Sequence, residues 1–254
     1  MNRLSPLLWA LLLIFSAVRV SIGKAFAANP SEAKPSEAKP AQGKQASTNA
    51  TATHGIDLNR FEEGIRSFEV PHQKLRPALV ATVFVGSSTF AHWTTLEHEF
   101  KDLGAINRGF GGSTIAEVNH YSDRIVLKYR PKRVVFYAGT NDIGELNHSG
   151  QQVAQDFEKF VGIVHGKLPR TDVYFISLSV APVRLQNATE FRDGNKRIRD
   201  YCLKAERVHF IDVTPVMRED DGRLKHELFG PDRLHMNTKG YALWIPVIRK
   251  ALSS

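Results

Sequence analysis

Cysteine is nearly absent from this chain, with Cys202 alone among 254 residues. A single thiol excludes an intrachain disulfide. No spacing of His and Cys forms a metal-ligand cluster, so a zinc site finds no support. A basic stripe interleaved with aromatics is also lacking, which argues against a nucleic-acid partner. The apolar run Leu7 to Val18 is shorter than the roughly 20 residues that a membrane-spanning helix needs. Acidic residues are the scarcer charge, 26 against 34 Lys and Arg, for a formal net charge of +8. Residues 1 to 54 hold six basic and two acidic residues, which leaves 28 against 24 for the rest. The remainder is a mildly basic solvated surface, consistent at most with a preference for anionic envelopes.

In place of a spanning helix the N-terminus carries a secretory pattern. Arg3 precedes the apolar run, and the small residues Ala25-Phe26-Ala27 mark a cut after Ala27. Arg19 and Lys24 stand before that cut, so an uncleaved signal is the one route by which this chain would touch a membrane. From Ala28 to residue 54 the composition shifts to Pro, Ala, Ser, Lys, Glu and Gln, and Ser31 to Pro35 repeats as Ser36 to Pro40. Such a segment buries too little apolar surface to offset its chain entropy, and its prolines extend it. Residues 1–27 are therefore expected as a signal peptide, 28–54 as a disordered linker and 55–254 as one domain. Its expected location is periplasmic or extracellular. The Asn-x-Ser/Thr matches at Asn49, Asn147 and Asn187 matter only in a host that glycosylates them.

Four short apolar runs read as strands buried on both faces: Leu79 to Val85, Val134 to Tyr137, Val173 to Leu178 and Val208 to Val213. Ala105 to Asn107 is a weaker fifth. Between them lie segments with helical spacing, among them Ile115, Val118, Ile125 and Tyr129, then Val153, Phe157, Phe160, Val164 and Leu168. Two more follow, from Asn187 to Ala205 and from Tyr241 to Leu252, the latter with Pro246 expected to shift or kink it. Cys202 shares an apolar helical face with Ala188, Phe191, Ile198 and Ala205, which points to a buried structural thiol. Alternating strands and helices predict an α/β class domain, a three-layer α/β/α sandwich around a mainly parallel five-stranded sheet. Open sheets of that kind hold ligands beyond the carboxyl ends of their strands.

Several chemistry-bearing residues fall at those ends. Ser88 follows the first strand in Gly86-Ser87-Ser88-Thr89, where a turn into a helix leaves its N–H unpaired and the helix dipole favours developing negative charge. Helix capping is the other use of such a serine. In Asn107 to Thr114 the glycines permit close approach of backbone, so the Gly112 N–H can face the crevice. Ser113 is a rival nucleophile, but Ser113-Thr114-Ile115-Ala116-Glu117 reads better as a capped helix start. Gly139-Thr140-Asn141-Asp142 presents a side-chain amide able to donate to an oxyanion, with Asp142 fixing the loop. Near the C-terminus, Asp232 and His235 are three residues apart, close enough for the carboxylate to orient an imidazole that takes a proton from Ser88. His92 and His98 lack comparable context. Trp93, Phe110 and Phe229 are candidates for the cleft wall or for the core.

Taken in order, Ser88, Gly112, Asn141 and the Asp232-x-x-His235 pair resemble the blocks of the SGNH hydrolase superfamily, the GDSL-type esterases and lipases. The resemblance spans Val80 to Trp244. It implies a flavodoxin-like SGNH hydrolase fold, a Ser88-His235-Asp232 catalytic triad, and an oxyanion hole from the Ser88 and Gly112 amides with the Asn141 side chain. It implies no metal and no organic cofactor. Ser87 stands where the family pattern has aspartate, which removes a carboxylate beside the nucleophile without removing a triad member. The Gly-x-Ser-x-Gly elbow of α/β-hydrolases is absent, because Phe90 occupies the place of its second glycine.

The expectation is an exported serine esterase acting on a small-molecule or carbohydrate ester. A domain of about 200 residues leaves little sequence for a large lid, which favours short acyl groups such as O-acetyl on carbohydrate. Lysophospholipid or another lipid ester comes second, and acyl transfer to an acceptor uses the same triad. A non-catalytic envelope- or carbohydrate-binding module is the rival from another class. It would be marked by loss of a triad or oxyanion member, and none is lost.

Overall fold

A computed structural model describes residues 57–69 and 80–253. The expected signal peptide and linker lie outside those residues. Five strands, β1 Thr82–Gly86, β2 Ala105–Gly109, β3 Arg133–Tyr137, β4 Asp172–Ile176 and β5 Val208–Ile211, form one sheet in the order β2-β1-β3-β4-β5. Every pair is parallel. The order reverses at β1, so a crevice opens at the carboxyl edge between β1 and β3, where open sheets of this kind bind ligands. The three-layer α/β/α fold expected from the alternation is the fold observed.

The central strands are apolar on both sides because each side faces its own core. Val83, Val85, Val134, Phe136, Val173 and Phe175 point into one core, and Phe84, Val135, Tyr137, Tyr174 and Ile176 into the other. A slip of one residue would exchange the two sets, so packing specifies the register strongly. The first core is covered by α1 Glu62–Ser67, α4 Ile115–Ile125, α6 Gly150–Lys167 and α7 Ala188–Cys202, through residues such as Ile65, Val118, Phe157 and Ile198. The second is covered by α2 Ser88–Ala91, α3 Leu96–Glu99 and α8 Thr238–Leu252, through Phe90, Leu96, Tyr241 and Trp244. The short α5 Thr140–Gly144 follows β3.

Some boundaries differ from the apolar runs. Leu178 and Val213 are buried beyond the ends of β4 and β5, so these runs continue as packed loop rather than strand. β2 is a full strand through Gly109. Helix α8 runs from Thr238 to Leu252 with Pro246 inside it, so the proline does not end the helix. Cys202 packs partly buried against the first core, and burial pushes its thiol up to about 12, so it stays protonated and unreactive.

Candidate active site

Gly86 shapes the turn that presents Ser88. Its φ is +152°, and a Cβ there would come within 1.9 Å of the Tyr137 carbonyl oxygen. The chain thus passes close against β3, and the Ser87 N–H donates to that same carbonyl at 3.0 Å. Ser88 opens α2, which is only four residues long. The expected help from a helix dipole is accordingly small, because a macrodipole needs several aligned turns. Ser87 is fully buried and its hydroxyl has no hydrogen-bond partner among the described residues.

Two further segments meet Ser88 from neighbouring strands. Gly112 follows β2 with φ +77°, and neither its N–H nor that of Ser88 donates to another backbone oxygen among the described residues. Thr114 caps α4 in a reciprocal box with Glu117, which settles the roles at this helix start and leaves Ser113 buried in the turn. Asn141 follows β3 and is buried; its Nδ2 donates to the Ser113 carbonyl at 2.9 Å, and its Oδ1 accepts from Arg184 Nη2 at 3.0 Å. One Nδ2 hydrogen is left over, since an amide carries two. Asp142 is fully buried and accepts from the Ile115 N–H, tying β3's exit to the start of α4. Burial raises its carboxyl to about 7.

The fourth segment brings Asp232 and His235 together. Asp232 Oδ2 lies 2.6 Å from His235 Nδ1, while Asp232 Oδ1 accepts from the Leu234 and His235 N–H groups at 3.0 and 3.1 Å. These bonds, the Leu234 amide first and the His235 ring next, hold the Asp232 carboxyl down at about 2. The carboxylate thus stays ionised and orients Nδ1, which turns Nε2 to the other side of the ring. Asn237 anchors this loop to α8. Its Oδ1 accepts from the Lys239 and Gly240 N–H groups, and its Nδ2 donates to the Glu227 and Phe229 carbonyls.

Ser88 and His235 line two adjoining spaces. One is a cavity of about 30 Å³ between Ser88, His235, Tyr137, Phe229 and Trp244, room for roughly two waters. The other is an open groove of about 470 Å³, shared with Gly112, Asn141, His92, Arg60 and Arg184. All five residues expected at the site therefore border one groove or flank it, with Asp232 behind His235. No hydrogen bond joins Ser88 Oγ to the His235 ring among the described residues. Of the three candidate wall aromatics, Phe229 borders the small cavity, whereas Trp93 and Phe110 are core residues.

The structure adds contacts at the site that the sequence does not show. His92, one turn after Ser88, stacks on His235 with ring centroids 4.4 Å apart. Arg60 bonds both Glu117 oxygens and donates to the Gly112 carbonyl at 3.0 Å. Arg184 reaches Asn141. Nothing local in the sequence marks these arginines, because the burial of Glu117 and Asn141 that calls for them arises only on folding. Asp142, His148 and Asp156 bring donor atoms within 4.8 Å of one another, and the Asp142 carboxylate already accepts from the Ile115 N–H.

The family model described as GDSL-like Lipase/Acylhydrolase family matches residues 81–243. No curated protein matches the chain. Among solved structures, a GDSL-like lipase from Bacteroides thetaiotaomicron is similar at 21% identity and TM-score 0.64, over 74% of this chain and 97% of that one. A lipase/acylhydrolase from Enterococcus faecalis is similar at 20% identity and TM-score 0.56, over 68% and 95%. A carbohydrate esterase family 3 protein from Talaromyces cellulolyticus is similar at 14% identity and TM-score 0.56, over 68% and 96%. At these identities the likeness is one of fold.

Proposed function

Because the chain belongs to the GDSL-like lipase/acylhydrolase family, whose chemistry is ester hydrolysis, we propose that Ser88 is its nucleophile and that the Asp232–His235 pair drives it. Ser88 Oγ adds to the ester carbonyl as His235 Nε2 takes its proton, and Asp232 stabilises the imidazolium formed. The carbonyl oxygen, now an oxyanion, receives the free N–H groups of Ser88 and Gly112 and the spare Nδ2 hydrogen of Asn141. Collapse breaks the C–O bond to the alcohol, which leaves with the proton from His235. Water, deprotonated by His235, then adds to the acyl carbonyl, and collapse breaks the bond to Ser88 Oγ, which takes the proton back from His235 as the acid leaves. Each oxyanion donor of this kind is worth roughly 10²- to 10³-fold in rate. The observation that carries this reading is the 2.6 Å contact of Asp232 with His235 on the wall of both spaces that Ser88 lines.

The two spaces suit the two halves of an ester. The 30 Å³ cavity matches an acetyl methyl, and the wider groove an alcohol as large as a sugar. An O-acetylated carbohydrate is therefore the preferred substrate class, and the likeness to a carbohydrate esterase family 3 structure supports it. A lipid ester is the second reading, supported by Leu146, Val183 and Leu185, which expose 37 to 47% of their surface around Arg184. Export is part of the proposal and rests on the secretory pattern of residues 1–27. A chromogenic ester series on the full chain tests the substrate: turnover falling steeply beyond acetyl or propionyl is expected, and a rise toward long chains would overturn it in favour of the lipid reading. Measuring acid released against ester transferred in the presence of an acceptor sugar separates hydrolysis from acyl transfer.

A further inference from the structure

Arg184 is a charged side chain held almost wholly out of water, 6% exposed, in the short helical segment Pro182–Asn187 that follows β4. Its Nη1 donates to the Thr140 carbonyl at 2.9 Å, and its Nη2 donates to Asn141 Oδ1 at 3.0 Å and to Glu145 Oε1 at 2.6 Å. Burying a guanidinium is costly unless each donor finds an acceptor. All three acceptors come from α5 and the residue that caps its end, Glu145. Gly144 belongs to the same arrangement, since a Cβ there would lie 2.4 Å from Arg184 Nε.

We infer that Arg184 is a positioning residue for ester cleavage, one that locks the Asn141 amide with its N–H toward the substrate oxygen. This rests on the reading of Asn141 as an oxyanion donor. An asparagine amide can turn over, exchanging Oδ1 and Nδ2 at little steric cost, and a turned-over amide would present an acceptor to the oxyanion. Here turning over is opposed at both ends. Nδ2 would face the Arg184 guanidinium, donor against donor, and Oδ1 would face the Ser113 carbonyl, acceptor against acceptor. The charge-assisted bond to Oδ1 is the stronger of the two constraints, and it also draws electron density from the amide, making the remaining N–H a better donor. The exposed Glu145 carboxylate balances the arginine's charge from the solvent side.

The test is a double-mutant cycle on the full chain with a chromogenic acetyl ester, using Arg184→Met, Asn141→Ala and the pair. Arg184→Met is expected to lower kcat about 10- to 100-fold with KM nearly unchanged, Asn141→Ala about 100- to 1,000-fold, and the pair no further than Asn141→Ala alone. Millimolar guanidinium should restore part of the rate to Arg184→Met and none to Asn141→Ala. If Arg184→Met melts below the assay temperature, Arg184→Lys is expected to lower kcat in the same direction, because a shorter lysine presents a single ammonium in place of the two-nitrogen fork that serves Thr140 and Asn141. Losses that multiply in the pair, or an Arg184 variant as fast as the parent beside a slow Asn141→Ala, would overturn the inference and leave the esterase reading standing. An Asn141→Ala variant as fast as the parent would remove both the oxyanion role and the inference.

Discussion

The ring of His92 lies on the ring of His235, centroids 4.4 Å apart and planes 29° apart. His92 ends the one-turn helix that Ser88 opens, and its N–H donates to the Ser88 carbonyl at 2.8 Å. His235, the proposed general base, is therefore braced on one side by Asp232 and on one face by His92, an element of the turn that carries Ser88. His92→Ala should lower kcat/KM for a short ester by about 3- to 10-fold, while His92→Phe, which keeps a stacking surface, should retain most of it. Equal rates in all three proteins would show that the stack does not position the base. Because His92 is exposed, thermal unfolding should hardly change in either variant.

At position 87 the family's aspartate is replaced by a serine whose buried hydroxyl has no partner among the described residues. Deleting an unsatisfied buried hydroxyl removes a penalty rather than a bond. Ser87→Ala should therefore be neutral or raise the melting temperature by a few degrees, with activity retained. Ser87→Asp would bury a carboxylate where the serine hydroxyl finds no partner among the described residues, and it should melt well below the parent. Thermal scans of the two variants check this, and a Ser87→Ala variant that melts several degrees lower would contradict it.

Asp142 gives a pH signature of stability. Its carboxyl is raised to about 7 by burial, against 3.8 as its ordinary value, so between these two pH values the folded protein holds a proton that the unfolded chain has released. Stability from this group then falls as pH rises from about 4 to 7 and is lowest above 7. Asp142→Asn keeps an oxygen for the Ile115 N–H but does not titrate. The melting temperature of the variant relative to the parent should climb between pH 4 and 8, whatever the fixed cost of the substitution. Parallel curves over that range would show that the group is ionised throughout.

Residues 57–69 belong to the site as much as to the surface. Arg60 is the cation for the fully buried Glu117 and holds the Gly112 carbonyl, and Phe61 packs edge-on against Phe110 at 5.0 Å. Removing one member of a buried pair leaves an uncompensated charge, a loss on the order of 3–5 kcal/mol, somewhat less here because Arg60 is itself 46% exposed. Arg60→Met should lower both the melting temperature and kcat, and the added change Glu117→Gln should recover the stability by removing the stranded charge. A double variant no more stable than Arg60→Met would argue against this pairing.

Much of this layout was legible in the sequence because it is local. Ser88, Gly112, Asn141 and the Asp232–His235 pair each sit within a few residues of a strand end or share one turn of chain, and apolar runs mark the central strands clearly. Edge strand β2 was faint because it carries Asn107 and Arg108, which are satisfied only in the folded protein: Arg108 by the Tyr129 hydroxyl, and Asn107 by the Phe90 carbonyl and the Glu97 carboxylate. Arg60 and Arg184 were invisible for the same reason. Their partners lie 57 and 43 residues away in the chain, and nothing local distinguishes an arginine that will be buried from one that will not. His92 was passed over because its partner, His235, is brought to it only by α8 and the loop before it.

Covalent trapping tests the central claim most directly. A small fluorophosphonate presented to the full chain, followed by peptide mass spectrometry, should place its mass on Ser88, and Ser88→Ala should take up no label and lose acetyl-ester hydrolysis. Label on Ser113 or another serine, or undiminished hydrolysis by Ser88→Ala, would contradict the account.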